Sequence, residues 1–131
     1  MAKRPVELGE AELAVMRVLW DEGSLTVRDV MTRLHERGRT VAYTTVLTFL
    51  TRLEQKGVVA SDKRDTAYVY RARISRQSVS ASRIRTLVDQ LYDGAAAPML
   101  LQLIENEKFS AEEIAQLRKL IDDLDSRDQI R

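Results

Sequence analysis

The sequence contains no cysteine. That removes disulfides, thiolate metal sites and cysteine nucleophiles, and it fits a cytoplasmic address. Histidine occurs once, at His35. A lone imidazole without thiolates cannot build a zinc site of the usual ligand set in one chain, so no metal is expected and His35 reads as a helix-surface residue. No apolar run approaches the roughly 18 residues that would suggest a membrane span. The basic start, Met1-Ala2-Lys3-Arg4-Pro5, is not followed by the apolar stretch of a signal peptide. No membrane insertion is expected. Catalytic constellations are missing too: there is no Ser-His-Asp set, no phosphate-cradling glycine loop and no carboxylate pair in a definable cleft. An enzyme reading has little support, and no cofactor is expected.

What is present suits a folded, soluble chain, with 44% hydrophobic and 31% charged residues. The 131 residues allow one ordinary domain, or a small domain with an oligomerising extension. The net charge of +1 hides an asymmetry. Residues 1–82 carry 14 basic and 10 acidic side chains, whereas residues 83–131 carry 7 and 10. Residues 37–76 hold nine basic residues against three acids, Glu54, Asp62 and Asp65. A basic segment followed by an acidic one suggests a polyanion partner for the first and another role for the second; ordinary surface charge is the alternative.

Hydrophobic periodicity predicts a first helix from about Glu10 to Trp20, with Leu13, Met16, Leu19 and Trp20 on one stripe. Trp20 is expected to fill a junction between helices. Gly23 can then take a left-handed position past the helix end. Thr26, with Asp29 three residues on, predicts a capped second helix running through Val30, Met31 and Leu34 to Gly38. The third helix is the most informative. In the stretch Val41 to Gly57, Val46, Phe49, Leu50 and Leu53 share one face, while Thr44, Thr45, Thr48, Thr51 and Arg52 share the other. Hydroxyls and a guanidinium, in place of the usual Glu/Lys mixture, suit contact with phosphates and base edges in a major groove. Two short helices, the second with such a face, make a helix-turn-helix.

After Gly57 the pattern alternates, predicting a hairpin over Val58–Arg73 with Lys63 and Arg64 in its loop. Helix-turn-helix followed by a basic-tipped hairpin is the order of a winged helix, whose tip meets the DNA backbone or minor groove. Ser75 to Ser82 reads as a junction. Beyond it come three amphipathic helices. The first carries Ile84, Leu87, Val88, Leu91 and Tyr92 and ends at Asp93-Gly94. The second starts at Ala95–Pro98 and carries Met99, Leu100, Leu103 and Ile104. The third opens on a capping box, Ser110 with Glu113, and carries Ile114, Leu117, Leu120, Ile121 and Leu124. Their roughly 55 residues are too few to bury these faces alone. Pairing of two copies through Ile84, Leu87, Val88, Leu91, Leu103, Ile114, Leu117, Ile121 and Leu124 is the expectation, and packing against the first domain the alternative. Asp122, Asp123 and Asp125 read as solvated.

Nearly the whole chain resembles the penicillinase-repressor family of winged-helix regulators, the BlaI/MecI type. The resemblance rests on Leu8 to Met16 running to Leu19-Trp20, Val27 to Val30, Ala42 to Thr48 running to Arg52-Leu53 and Lys56-Gly57, and Tyr68-Val69-Tyr70. It continues in Leu91-Tyr92-Asp93-Gly94 and in Ser110 to Ile114 running to Leu117-Arg118. It implies a dimeric repressor that blocks a promoter until an upstream signal relieves it, with a sensor protease as a further partner. In the antibiotic-resistance systems such repressors are cut at an Asn-Phe bond; the aligned pair here is Gln102-Leu103. Copper-responsive relatives carry a cysteine motif that this chain lacks, which excludes a thiolate-bound copper effector.

The expected fold is mainly α with a small β hairpin: a winged-helix DNA-binding domain over residues 1–75 and a helical dimerisation domain over 76–131. The expected function is a homodimeric repressor on an inverted-repeat operator, and the rival is a winged-helix protein-interaction module. Expected DNA contacts are Thr44, Thr45, Thr48 and Arg52 in the groove, with Lys63 and Arg64 on phosphates. Arg52 reaches either a guanine edge or a phosphate. Tyr43 either holds a phosphate through its hydroxyl or caps the core. Arg39, on the approach to the third helix, is either a contact or plain surface charge.

Overall fold

The computed structural model describes residues 7–130, with side chains to residue 128. The basic start Met1–Pro5 lies outside the described residues. The chain divides into two compact units, Met1–Leu87 and Val88–Arg131.

In the first unit, α1 (Glu10–Glu22) and α2 (Val27–Glu36) precede α3 (Tyr43–Gln55). A three-stranded antiparallel sheet is built from β1 (Leu25–Thr26), β2 (Val59–Arg64) and β3 (Ala67–Ala72), in the order β1-β3-β2. This is a winged helix: three helices, with β2 and β3 as the wing hairpin. The apolar stripes meet in one core of Val15, Met16, Val18, Leu19, Val30, Leu34, Val46, Leu50, Leu53, Val58 and Val59, all essentially inaccessible to solvent. Capping sets the helix starts. The Thr26 hydroxyl accepts from the Asp29 N–H at 3.1 Å, and the Asp29 carboxylate accepts from the Thr26 N–H at 3.5 Å.

Several details differ from the sequence expectations. Gly23 has a positive φ of 87°, but its ψ of −148° is an extended, glycine-only conformation, not the left-handed helical one. It carries the chain straight into β1, a two-residue strand too short to leave a periodic signal. Lys63 and Arg64 lie in β2, paired across from Tyr68 and Ala67, and the reversal itself is Asp65–Thr66, with Asp65 at φ 54°. Trp20 is half-buried at the end of α1 and packs against the core; its indole N–H donates to the Ile74 carbonyl at 2.8 Å, and the Arg76 guanidinium, at the start of the helix that follows β3, lies 5.6 Å from its ring centroid.

The expected junction at Ser75–Ser82 is helical from Arg76 onward. The Ser75 hydroxyl accepts from the Ser78 N–H at 3.0 Å and starts α4 (Arg76–Tyr92). Val79 joins the winged-helix core, Arg83 donates to the Leu8 carbonyl at 2.9 Å, and Arg76 pairs with Asp21. The boundary between the units therefore falls inside α4.

The second unit holds the end of α4, α5 (Ala96–Asn106) and α6 (Ala111–Ile130). The Tyr92 hydroxyl donates to Gln102 Oε1 at 2.6 Å, and Asp93 and Gly94 reverse the chain with φ of 51° and 87°. The Ser110/Glu113 capping box forms, with bonds of 2.9 and 3.1 Å. Among the described residues of this unit only Val88 is buried. It has amphipathic helices and no dry core of its own.

Candidate nucleic-acid interface

α3 buries Val46, Leu50 and Leu53 and half-buries Phe49, which turns Thr44, Thr45, Thr48, Thr51 and Arg52 outward, all of them exposed. The four hydroxyls are not equivalent. Thr48 donates to the Thr44 carbonyl at 2.9 Å, and Thr51 to the Leu47 carbonyl at 2.8 Å. Their protons are committed to the helix, so toward a ligand they act as acceptors, suited to the amino groups of adenine or cytosine. Thr44 and Thr45 make no side-chain hydrogen bond with a described residue and can donate to phosphate. The N-cap, Ala42, provides no capping side chain, leaving the first-turn N–H groups of α3 without an internal side-chain acceptor.

The cations also divide. Arg52 is exposed and makes no ion pair with a described residue. Lys63 and Arg64 are exposed at the wing end of β2 and make no ion pair with a described residue. Arg39, by contrast, is half-buried and pairs with Glu10 at 3.2 Å, which offsets part of its charge. Tyr43 is exposed at the start of α3, so it does not cap the core, and the Arg28 guanidinium stands 5.9 Å from its ring centroid. Arg28 went unrecognised in the sequence because it belongs to α2; only the packing of α2 against α3 brings it to Tyr43. Tyr68 and Leu47 are also exposed; Leu47 falls outside both the apolar stripe and the hydroxyl face, and Tyr68 reads only as a residue of the wing strand, so the sequence pattern gives neither a role.

The wing is fastened to the helix. Ser61 of β2 donates to Glu54 of α3 at 2.7 Å, and its cross-strand partner Tyr70 of β3 is buried. Burial, helped by the nearby Glu54 carboxylate, pushes the Tyr70 phenol above its ordinary pKa and keeps it neutral. His35 is exposed and shares a 3.1 Å hydrogen bond with the Thr40 hydroxyl.

The residues expected to pair two copies are distributed as follows. Ile84, Leu87, Leu91, Leu103, Ile114, Ile121 and Leu124 are exposed, and Leu117 is half-buried. Val88 is a correction: a single chain already buries it to 2%, so it packs within its own subunit. Leu100, Leu101 and Leu120 are further exposed leucines of the same helices.

The chain matches the model of a family described as penicillinase repressor, over residues 8–123. It is 26% identical over 127 residues to the penicillinase repressor of Staphylococcus aureus, covering 97% of this chain and 100% of that protein. With the penicillinase repressor of Bacillus licheniformis it shares 28% identity over 125 residues, covering 95% and 97%. The solution structure of the DNA-binding domain of the repressor BlaI is similar at a TM-score of 0.50 and 30% identity, over 59% of this chain and 93% of that one.

Proposed function

The chain belongs to the penicillinase repressor family, and from that premise we propose that it represses as a homodimer bound to an inverted-repeat operator. It is a DNA-binding transcriptional repressor and not an enzyme. The observation that carries the proposed mode of binding is the outward face of α3. Its threonines and Arg52 project from a helix whose other face is locked into the core, with a wing fastened beside it whose Lys63 and Arg64 make no ion pair with a described residue. Placed in a major groove, Arg52 reads a guanine edge or holds a phosphate, Thr48 and Thr51 accept from base amino groups, and Lys63 and Arg64 neutralise backbone phosphates.

Burial supports dimerisation. The amphipathic helices of the second unit leave Leu91, Leu100, Leu101, Leu103, Ile114, Leu120, Ile121 and Leu124 exposed, an apolar surface of the kind that marks an interaction site. A second copy presents the same apolar surface and buries both, and two-fold symmetry matches a palindromic site. A sensor protease acting on the second unit is the proposed route to derepression, and a cytoplasmic location follows from the DNA target. No helix among the described residues is long and apolar enough to cross a membrane.

A salt titration of duplex binding tests the reading. Affinity should fall steeply and log-linearly with salt as phosphate counterions are released. A flat response, with binding retained to a protein partner, would favour the interaction-module rival.

A further inference from the structure

Among the described residues that precede α4, three large apolar side chains are exposed: Tyr43 at 44%, Leu47 at 37% and Tyr68 at 55%. All three lie on α3 or the wing. The other leucines, methionines and aromatics of that segment are buried or half-buried. Leu47 is the aliphatic member, and it occupies the middle of the groove-facing surface, one turn from Tyr43 and one turn from Thr51. The hydroxyl protons of its neighbours Thr48 and Thr51 are turned back onto the helix backbone. Toward Thr48 and Thr51 the surface beside Leu47 therefore has no free hydroxyl proton for a phosphate and suits an apolar group, while Tyr43 and Thr44 keep their donors at the start of the helix. A major groove presents one such group, the 5-methyl of thymine. A leucine set against a G·C edge would instead leave polar base atoms without partners.

We propose that Leu47 is a base-reading residue that seats against the 5-methyl of a thymine in each operator half-site. The inference rests on the reading that α3 enters the major groove, and the experiment separates the two. Duplexes are first enriched from a random pool by the full-length protein, and each thymine of the enriched site is then replaced in turn by deoxyuridine, which lacks only that methyl. At one thymine per half-site the native protein should lose about fourfold in affinity, the value of one buried methyl. Leu47→Ala should bind the thymine and deoxyuridine duplexes alike, with its helical circular dichroism unchanged, because alanine favours helix at an exposed position. Leu47→Met, which keeps an apolar side chain of similar volume, should retain the discrimination. Native protein indifferent to every methyl, or equal discrimination by Leu47→Ala, overturns the assignment. Failure to enrich any sequence overturns the groove-reading premise itself.

Discussion

Arg52 and Arg39 are arginines of the same region, yet their surroundings set them apart. Arg52 has no ion-pair partner among the described residues, whereas Arg39 is held by Glu10 at 3.2 Å. Arg52→Ala should weaken operator binding by about 1–3 kcal/mol in a gel-shift titration, if its guanidinium grips a base edge. Arg39→Ala should cost less, because the Glu10 carboxylate already offsets part of the Arg39 charge. Lys63→Ala should weaken binding to all sequences evenly and lower the salt slope by about one, as loss of a phosphate contact does. Unchanged affinity for a well-folded Arg52→Ala would remove that residue from the interface.

Between elements, the start of α1 is clamped to the end of α3. Lys56 donates to both carboxylate oxygens of Glu12, at 2.9 and 3.0 Å, and to the Glu7 carbonyl at 2.8 Å, while the Gly9 N–H donates to the same carboxylate at 3.1 Å. Burial pushes the Glu12 pKa up, but the bonds from Lys56 and Gly9 outweigh it and hold the carboxyl below its ordinary 4.5. A depressed folded value means that the clamp stabilises fully above pH 4.5 and is lost as the pH falls through the lower folded value. Glu12→Gln should therefore cost about 1 kcal/mol of stability at neutral pH and flatten the acid limb of a denaturation profile. An acid limb identical to that of the native chain would contradict this. These elements were legible to different degrees, for physical reasons. The core faces of α1 to α3 follow from 3.6-residue periodicity, and the caps at Thr26 and Ser110 from short-range chemistry. β1 was not legible, since two residues have no period and their pairing with β3 is non-local. The start of α4 was obscured by serine and arginine, residues typical of linkers, although Val79 there completes the winged-helix core. On α3 and the wing the exposure of the polar residues could be read from residue type, but the outward turn of Leu47, Tyr43 and Tyr68 could not, because exposure depends on what the rest of the fold leaves uncovered.

At the scale of the whole molecule, the second unit sets the behaviour. Leu91, in the last turn of α4, is 66% exposed, so Leu91→Glu should leave the winged helix folded while shifting sedimentation from dimer toward monomer. The native chain should unfold at a temperature that rises with protein concentration, because pairing and folding are linked. A monomer at all concentrations would remove the dimer assignment. The Gln102-Leu103 bond lies inside α5, where Gln102 accepts from the Tyr92 hydroxyl and its carbonyl accepts from Asn106 at 2.8 Å. Cleavage needs this helix to open locally. A sensor protease specific for Asn-Phe should leave the native chain intact and cut the Gln102→Asn/Leu103→Phe variant, as mass spectrometry of the fragments would show.

If the chain pairs as proposed, a helical unit without its own dry core would also make the repressor a gauge of its own concentration. While single subunits predominate, the amount of dimer scales with the square of their concentration, and so does occupancy of a site that needs both halves. Growth without new synthesis that halves the concentration would then cut the dimer about fourfold. Repression could lapse by dilution alone, with no inducer and no broken peptide bond.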